Sequence, residues 1–294
     1  MRRPNALSVA LAGMACGALL LPAVGQAKAA PPKTVIVNAR PVPFTVTPVT
    51  ALGDFYNLGR DTVGSIWCPA KSTPLSSGWS GPGAFIGGLD LNLDSDGGYW
   101  RPRARNATFA GRNRLVALCA RGAITARLVE KPSQTTISCG RNIALGLPLV
   151  VGSPYVNEDS GAWPVSATRW RSAITDQEGS IAATSVNCVT RAAFTSVRVV
   201  KKTGAIAKGA TRAKVVVTCP ASHRAIGWGY QVTKVRDFSP PATSIYGSVS
   251  TVPFVSASHP VGANKWAVQF TSPYGAPTTA NTAVTAYATC AVPK

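Results

Sequence analysis

The chain of 294 residues carries a net charge of +19, with 46% hydrophobic residues and 14% charged ones. An apolar share of this size belongs to a packed globular body and excludes intrinsic disorder. Three Glu in the whole chain, against abundant Val, Thr, Ser, Ala and Gly, exclude a helical bundle and favour strands.

Residues 1–30 read as an export leader. Arg2 and Arg3 form a basic start, Leu7 to Val24 is apolar, and the runs ending at Ala27 and Ala29 offer small residues for cleavage. The mature protein is therefore expected to be secreted, periplasmic or at the cell surface, with no membrane span. Six of the seven cysteines lie beyond the leader. An even count in an exported chain points to disulfides.

Residues 31–60 read as an N-terminal arm. Thr34 to Arg40 has strand texture, and the prolines from Pro41 to Pro48 allow only an extended or edge conformation. Three copies of one pattern follow, over 61–131, 132–202 and 203–294. Each has an opening Cys, an apolar residue before Gly, a Trp leading an alternating run, and a closing Cys after small, β-prone residues. Copy one shows Cys68, Phe85-Ile86-Gly87, Trp100 and Cys119. Copy two shows Cys139, Ala144-Leu145-Gly146, Trp163 and Cys188. Copy three shows Cys219, Ala225-Ile226-Gly227, Trp266 and Cys290. Trp163 is preferred to Trp170 because Trp-x-Val-x-(Ala/Phe)-Thr recurs from Trp266. Ser72–Gly83 and Thr233–Ala263 read as insertions. A β-rich tail follows the first two copies, and the N-terminal arm is expected to fill that place for the third, closing a ring.

Six cysteines allow fifteen pairings. The repeat selects Cys68–Cys119, Cys139–Cys188 and Cys219–Cys290, each clasping its own copy. In the chain-entropy picture each such loop closure contributes roughly 4 kcal/mol. Without Cys-x-x-Cys and with two His, no zinc site is expected. Asp90, Asn92, Asp94 and Asp96 before Gly97 have the alternation of a calcium loop. Arg103 stands where its closing Glu would be needed, so an acidic turn is the better reading. No cofactor is expected.

The basic residues cluster twice. Arg101, Arg103 and Arg105 alternate, so on a strand they share a face that could clamp phosphate or carboxylate. Arg198, Lys201, Lys202, Lys208, Arg212 and Lys214 form a hairpin-like zone without an acid among them. Trp79 lies in the loop-like run from Ser76 to Gly83 and Trp228 beside Gly227 and Gly229; exposed, they could stack on sugar rings, while packing over a neighbouring loop is the more ordinary role for such residues. Binding residues are therefore Arg101, Arg103, Arg105, Lys201, Lys202, Lys208, Trp79 and Trp228. Ser222, His223 and Asp237 could be assembled into a hydrolytic set, but no Gly-x-Ser-x-Gly elbow accompanies them.

The pattern Cys-Pro…(Ile/Leu)-Gly…Gly-x-Trp-x-Val…Ala-x-Cys over about 68–290 resembles repeat units of exported bacterial proteins. It is distantly similar to the vitelline membrane outer layer proteins. That resemblance implies a three-fold β-prism. Their sugar-related activity is not carried over, because no catalytic or ligand motif matches. The expected fold is all-β, three disulfide-stapled repeats in pseudo-three-fold arrangement, with a β-trefoil or tandem sandwiches as alternatives. The expected function is non-catalytic binding of anionic polysaccharide or cell-envelope polymer, with no specific nucleic acid. A structural, self-associating surface protein and a hydrolase with its site in the copy-three insertion are the other two readings.

Overall fold

The computed structural model describes residues 45–54, 66–80, 88–92, 99–103, 112–122, 124–132, 135–147, 160–173, 183–233 and 252–294. The leader and the run Thr34–Arg40 lie outside these residues. Regular structure within them is β, apart from two single 3-10 turns at Arg191–Ala193 and Pro273–Gly275. The protein is all-β, as its composition implies.

The strands fall into three sets of six. The first holds β1 (Thr45–Asp54), β2 (Ile66–Trp67), β3 (Ser72–Ser80), β4 (Gly88–Asn92), β5 (Tyr99–Arg103) and β6 (Arg112–Arg121). The second holds β7 (Ala126–Pro132), β8 (Thr136–Ser138), β9 (Ile143–Leu147), β10 (Ser160–Ser166), β11 (Arg169–Ala173) and β12 (Ala183–Val189). The third holds β13 (Phe194–Ile206), β14 (Arg212–Thr218), β15 (Arg224–Val232), β16 (Phe254–Pro260), β17 (Lys265–Thr271) and β18 (Thr282–Pro293).

Each set pairs in the same way. The sixth strand lies between the first and third: β1-β6-β3, β7-β12-β9 and β13-β18-β15. The fifth lies between the second and fourth: β2-β5-β4, β8-β11-β10 and β14-β17-β16. One disulfide per set joins the turn before the third strand to the sixth. These are Cys68–Cys119, Cys139–Cys188 and Cys219–Cys290, with Cα atoms 5.6, 5.4 and 5.6 Å apart. This is the pairing the repeat selects.

Strand pairing redraws the unit boundaries. The tail after Cys119 is β7, and it pairs along its whole length with β12 of the next set. The tail after Cys188 is β13, which pairs with β18. β1 takes the same place against β6 over ten residues. The arm does supply this strand, but from Thr45–Asp54. Pro48 is tolerated because β1 is an edge.

Three further sequence assignments change. Ser72–Ser80 is no insertion: it is β3, the third strand of its set, hydrogen-bonded to β6. The stretch 233–263 contains β16, half of the fourth–fifth hairpin. Trp170, not Trp163, matches Trp266 and Trp100. Their cross-strand partners are Ile137, Val217 and Ile66, each two residues before the opening Cys. Trp163 sits on the other strand of its hairpin.

The half-sheets join across sets. β16 of the third set meets β3 of the first through Ser258 and Trp79, making the sheet β1-β6-β3-β16-β17-β14. β10 of the second set meets β15 of the third, making β13-β18-β15-β10-β11-β8. Sheets shared between sets exclude three independent sandwiches. β4 and β9, at the edges of the remaining halves, approach each other.

Aromatic residues fill the space where sets one and three meet. Trp228 lies edge-on to Trp79 with ring centroids 5.5 Å apart and stacks on Trp266 at 6.3 Å. Opposite it on β18 is Ala288, and opposite the neighbouring Tyr230 is Ala286, both small enough to leave room. The Trp228 indole N–H donates to the Ser77 carbonyl at 2.7 Å, and that of Trp79 to the Ser256 carbonyl at 3.0 Å. Asn187 of the second set donates its amide to the carbonyls of Pro74 and Leu75 in the first. Buried polar groups thus bind one set to another, each N–H satisfied across a boundary.

Candidate functional site

The expected sugar-stacking residues are corrected first. Trp79 is fully buried and Trp228 nearly so, with 0% and 1% exposed. The Gly residues that suggested loops mark strands under close backbone crossings. A Cβ on Gly78 would stand 2.1 Å from the Ser258 carbonyl oxygen, and one on Gly229 2.7 Å from that of Ala162. Only glycine admits such approaches. Among the residues whose burial is described, the exposed tryptophan is Trp67, 53% exposed and next to the opening Cys68, a residue that sequence reasoning passed over.

The first basic cluster is placed in part. Arg101 and Arg103 occupy alternate positions of β5, in register with Asp90 and Gly88 of β4. Arg105 lies outside the described residues, as do Asp94 and Asp96. The second cluster lies on β13, on β14 and on the turn between them; the two strands are not paired into a hairpin but are edge strands of two different sheets, β13 on β18 and β14 on β17. All six of its cations are exposed. They do not share one face. Lys201 pairs with Tyr287 and Lys202 with Ala286, so these neighbours project to opposite sides. Lys208 sits in the turn, its backbone N–H held by the Asn281 side chain at 2.9 Å. On β14, Arg212 and Lys214 point outward while Val215 and Val217 are buried.

His223 is nearly buried beside the opening Cys219. Its Nδ1–H donates to the Ala221 carbonyl at 3.1 Å, leaving Nε2 to accept from the Ser196 hydroxyl at 3.2 Å. Ser222 turns instead to the Ala221 carbonyl, in a left-handed conformation with φ 65°. The structure therefore does not bring Ser222 to His223, and Asp237 lies outside the described residues. Among the described residues no cluster of three or more His, Cys, Asp or Glu could hold a metal ion, and no helix is long and apolar enough to cross a membrane.

A cleft that sequence reasoning missed opens where β16 crosses β3. Its volume is about 420 Å³, within the size range of small-molecule sites. Val116 and Leu118 of β6 form an apolar floor, with Ala225 and Pro260 beside them. Arg114, Arg224 and His259 supply the polar lining, with Ser80, and no carboxylate is among the described residues that border the cleft. His259 donates Nδ1–H to the Pro260 carbonyl at 3.1 Å, which fixes the ring beside the opening. His259, Ala267 and Val216 form one cross-strand row. Lys214 and Arg212 are two and four residues from Val216 along β14. Part of the charge of the second cluster thus lies on the face of β14-β17-β16 that carries the His259 side chain.

The repeat supplies an internal reference for this cleft. The same crossing occurs where β10 passes over Gly229 of β15. The hydrogen bonds that seat the hairpin turns match: Cys139 N–H to Thr168 O and Ala144 N–H to Ala167 O in one set, Cys219 N–H to Asn264 O and Ala225 N–H to Ala263 O in the other. Register then aligns Val116 with Tyr287, each three residues before its closing Cys, and Arg114 with Thr285. His259-Pro260 aligns with Trp163-Pro164, and Arg224 with Ile143. In this second corner Tyr287 is buried and donates its hydroxyl to Gln231 at 3.0 Å. Trp163 is half-buried, and the Arg171 guanidinium lies over its ring at 5.9 Å.

The second corner also holds the perturbed tyrosines. Burial raises both tyrosines above the ordinary phenol value, Tyr230 the further, since a phenolate there would lose its hydration. The first corner carries Trp79 and Val116 at the corresponding positions, neither of which titrates.

No protein-family model matches the chain, and no curated protein matches it.

Proposed function

We propose that this is a secreted, non-catalytic β-repeat protein that binds anionic glycan or cell-envelope polymer through its cationic surface. Three disulfides are the pattern of a chain that folds in an oxidising compartment. The observation that carries the reading is the cationic run of β13 and β14. Six exposed cations stand on these two consecutive edge strands and the turn between them, and no acid occurs in the sequence between Glu178 and Asp237. A field of this kind raises the local concentration of a polyanion and its association rate. Presenting Lys201 and Lys202 on opposite sides suits a flexible polymer that wraps an edge better than a flat docking surface. The lysines also protect the edge strand from pairing with another chain, and that role alone would need no polymer.

The test is retention of the mature, oxidised chain on immobilised polygalacturonate and on neutral dextran. Retention on the acidic polymer alone is expected, and it falls away near 1 M salt, where the screening length is about 3 Å. Reversing Lys201, Lys202 and Lys208 to Glu should weaken it roughly tenfold or more. Unchanged retention after that reversal would remove this run from the reading.

A further inference from the structure

A second group of cations stands apart from β13 and β14. Arg169 and Arg171 take alternate positions on β11 and are exposed, while Trp170 between them is wholly buried. The two guanidiniums therefore project together from the outside of the half-sheet β8-β11-β10, about 7 Å apart along the strand. Among the described residues neither is in an ion pair. Thr136 and Ser138 of β8 stand opposite them and add hydroxyls to the same face. Trp163 is opposite Arg171 on the other side, and the guanidinium lies over its ring at 5.9 Å. This contact holds the cation in place. A ring takes no conventional hydrogen bond, so the donors of Arg171 remain for oxyanions.

The repeat shows that the charge follows the face rather than the position. The residue after the inward tryptophan is Arg171 in set two but Ala267 in set three. There β14, beside β17, carries Arg212 and Lys214 instead. These are again alternate, exposed and turned away from buried Val215 and Val217. Two half-sheets thus reach the same outward pair of cations through different strands. Trp170 and Trp266 belong to one core, so the outer faces of their sheets look in different directions. β11 is also the fifth strand of the sheet that begins with β13. Four strand spacings put about 19 Å of sheet between them. That is more than twice the screening length of about 8 Å at physiological salt, so the two groups act on a polyanion independently.

We propose that β11 carries a second, separate centre for acidic glycan, and that the protein bridges two polymer segments, one on Arg169 and Arg171 and the other on the β13–β14 run. The planar fork of guanidinium matches the two oxygens of a carboxylate, so a polymer of acidic sugars is the partner that fits. The inference rests on the glycan-binding reading and adds valence to it. A protein with one centre coats a polymer; a protein with two gathers it into a network.

The test uses the mature, oxidised chain and two probes: a galacturonate trimer, too short to reach both centres, and long-chain polygalacturonate. Isothermal titration with the trimer at low salt is expected to give two sites per protein. Arg169→Gln with Arg171→Gln should leave one. Both side chains are exposed, so the variant folds, and an unchanged urea midpoint checks it. With the long polymer, the parent chain should give turbidity that peaks at an intermediate ratio and clears in excess protein, as bridging requires. The arginine variant should lose most of that turbidity yet stay on the immobilised polymer. Arg121→Gln with Arg191→Gln removes two exposed cations elsewhere and should keep both sites and the turbidity. One trimer site in the parent chain overturns the proposal, as do two sites or full turbidity in the Arg169 and Arg171 variant. Loss of a site in the Arg121 and Arg191 control overturns it too, because net charge alone would then be at work. A chain retained on polygalacturonate with a single trimer site loses the bridge and keeps the reading of the β13–β14 run. A chain that takes up no trimer and is not retained loses the glycan reading itself.

Discussion

The corner at Gly78 and the corner at Gly229 are built from the same strands in the same order, stapled by the same disulfide and crossed by the same hairpin. One is filled by Tyr287 and by Trp163 with Arg171 over its ring; the other is hollow and lined by Arg114, Arg224 and His259. The difference separates what the fold needs from what it merely carries. The glycine beneath the crossing is needed at both places. The side chains above it are free to vary, so their chemistry reports on use.

The largest effect should come from the shared feature. Gly78→Ala drives a Cβ to within 2.1 Å of a backbone oxygen, and backbone cannot swing aside. A loss of about 3 kcal/mol or more in urea unfolding is expected. Gly229→Ala, at 2.7 Å, should lose less, on the order of 1–3 kcal/mol. Alanine tolerated without loss at either site would break the correspondence between the corners.

A smaller effect should follow from emptying the filled corner. Tyr287→Val removes a buried ring and its hydrogen bond to Gln231. Roughly 2 kcal/mol should be lost in urea unfolding. A variant as stable as the parent would show that the second corner does not depend on this ring.

The smallest effect is confined to alkaline solution. Tyr230 and Tyr287 hold their protons in the folded protein above the ordinary phenol value of 10.0. The unfolded chain therefore ionises first. Stability is unaffected by these groups below pH 10 and falls as pH rises above it. For Tyr230 the slope is about 1.4 kcal/mol per pH unit while only the unfolded form is ionised. Urea midpoints on either side of pH 10 check this. In Tyr287→Val the slope should be shallower, because the first corner contributes no tyrosine to it.

Much of this architecture could be read from the amino-acid order. The cysteines declared their partners because each disulfide spans a single repeat, and the repeat is marked at both ends. β3 was hidden for a physical reason. Ser72–Ser80 is a strand packed on both sides, against β6, β16 and the large rings of other sets. It needs small residues, so Ser, Pro and Gly stand where alternation would be sought, and the result looks like a loop. Trp163 and Trp170 were exchanged because both strands of that hairpin carry a tryptophan. Which one matches Trp266 depends on cross-strand register. The cleft was not legible at all. Arg114, Arg224 and His259 lie far apart in the chain, and only the crossing of β16 over β3 brings them to one opening. A signal was present nonetheless: aligning the sets by their closing cysteines exposes Val116 opposite Tyr287.

The third set completes the sheets of both others, through β16 on β3 and β15 on β10. A nascent chain that has emerged only as far as Val189 therefore presents two bare strand margins at once. Such margins recruit other chains. Folding of this protein should thus depend on holding the first two thirds apart from their neighbours until the last third arrives, and a nonsense truncation in that last third should yield aggregate rather than a smaller working protein.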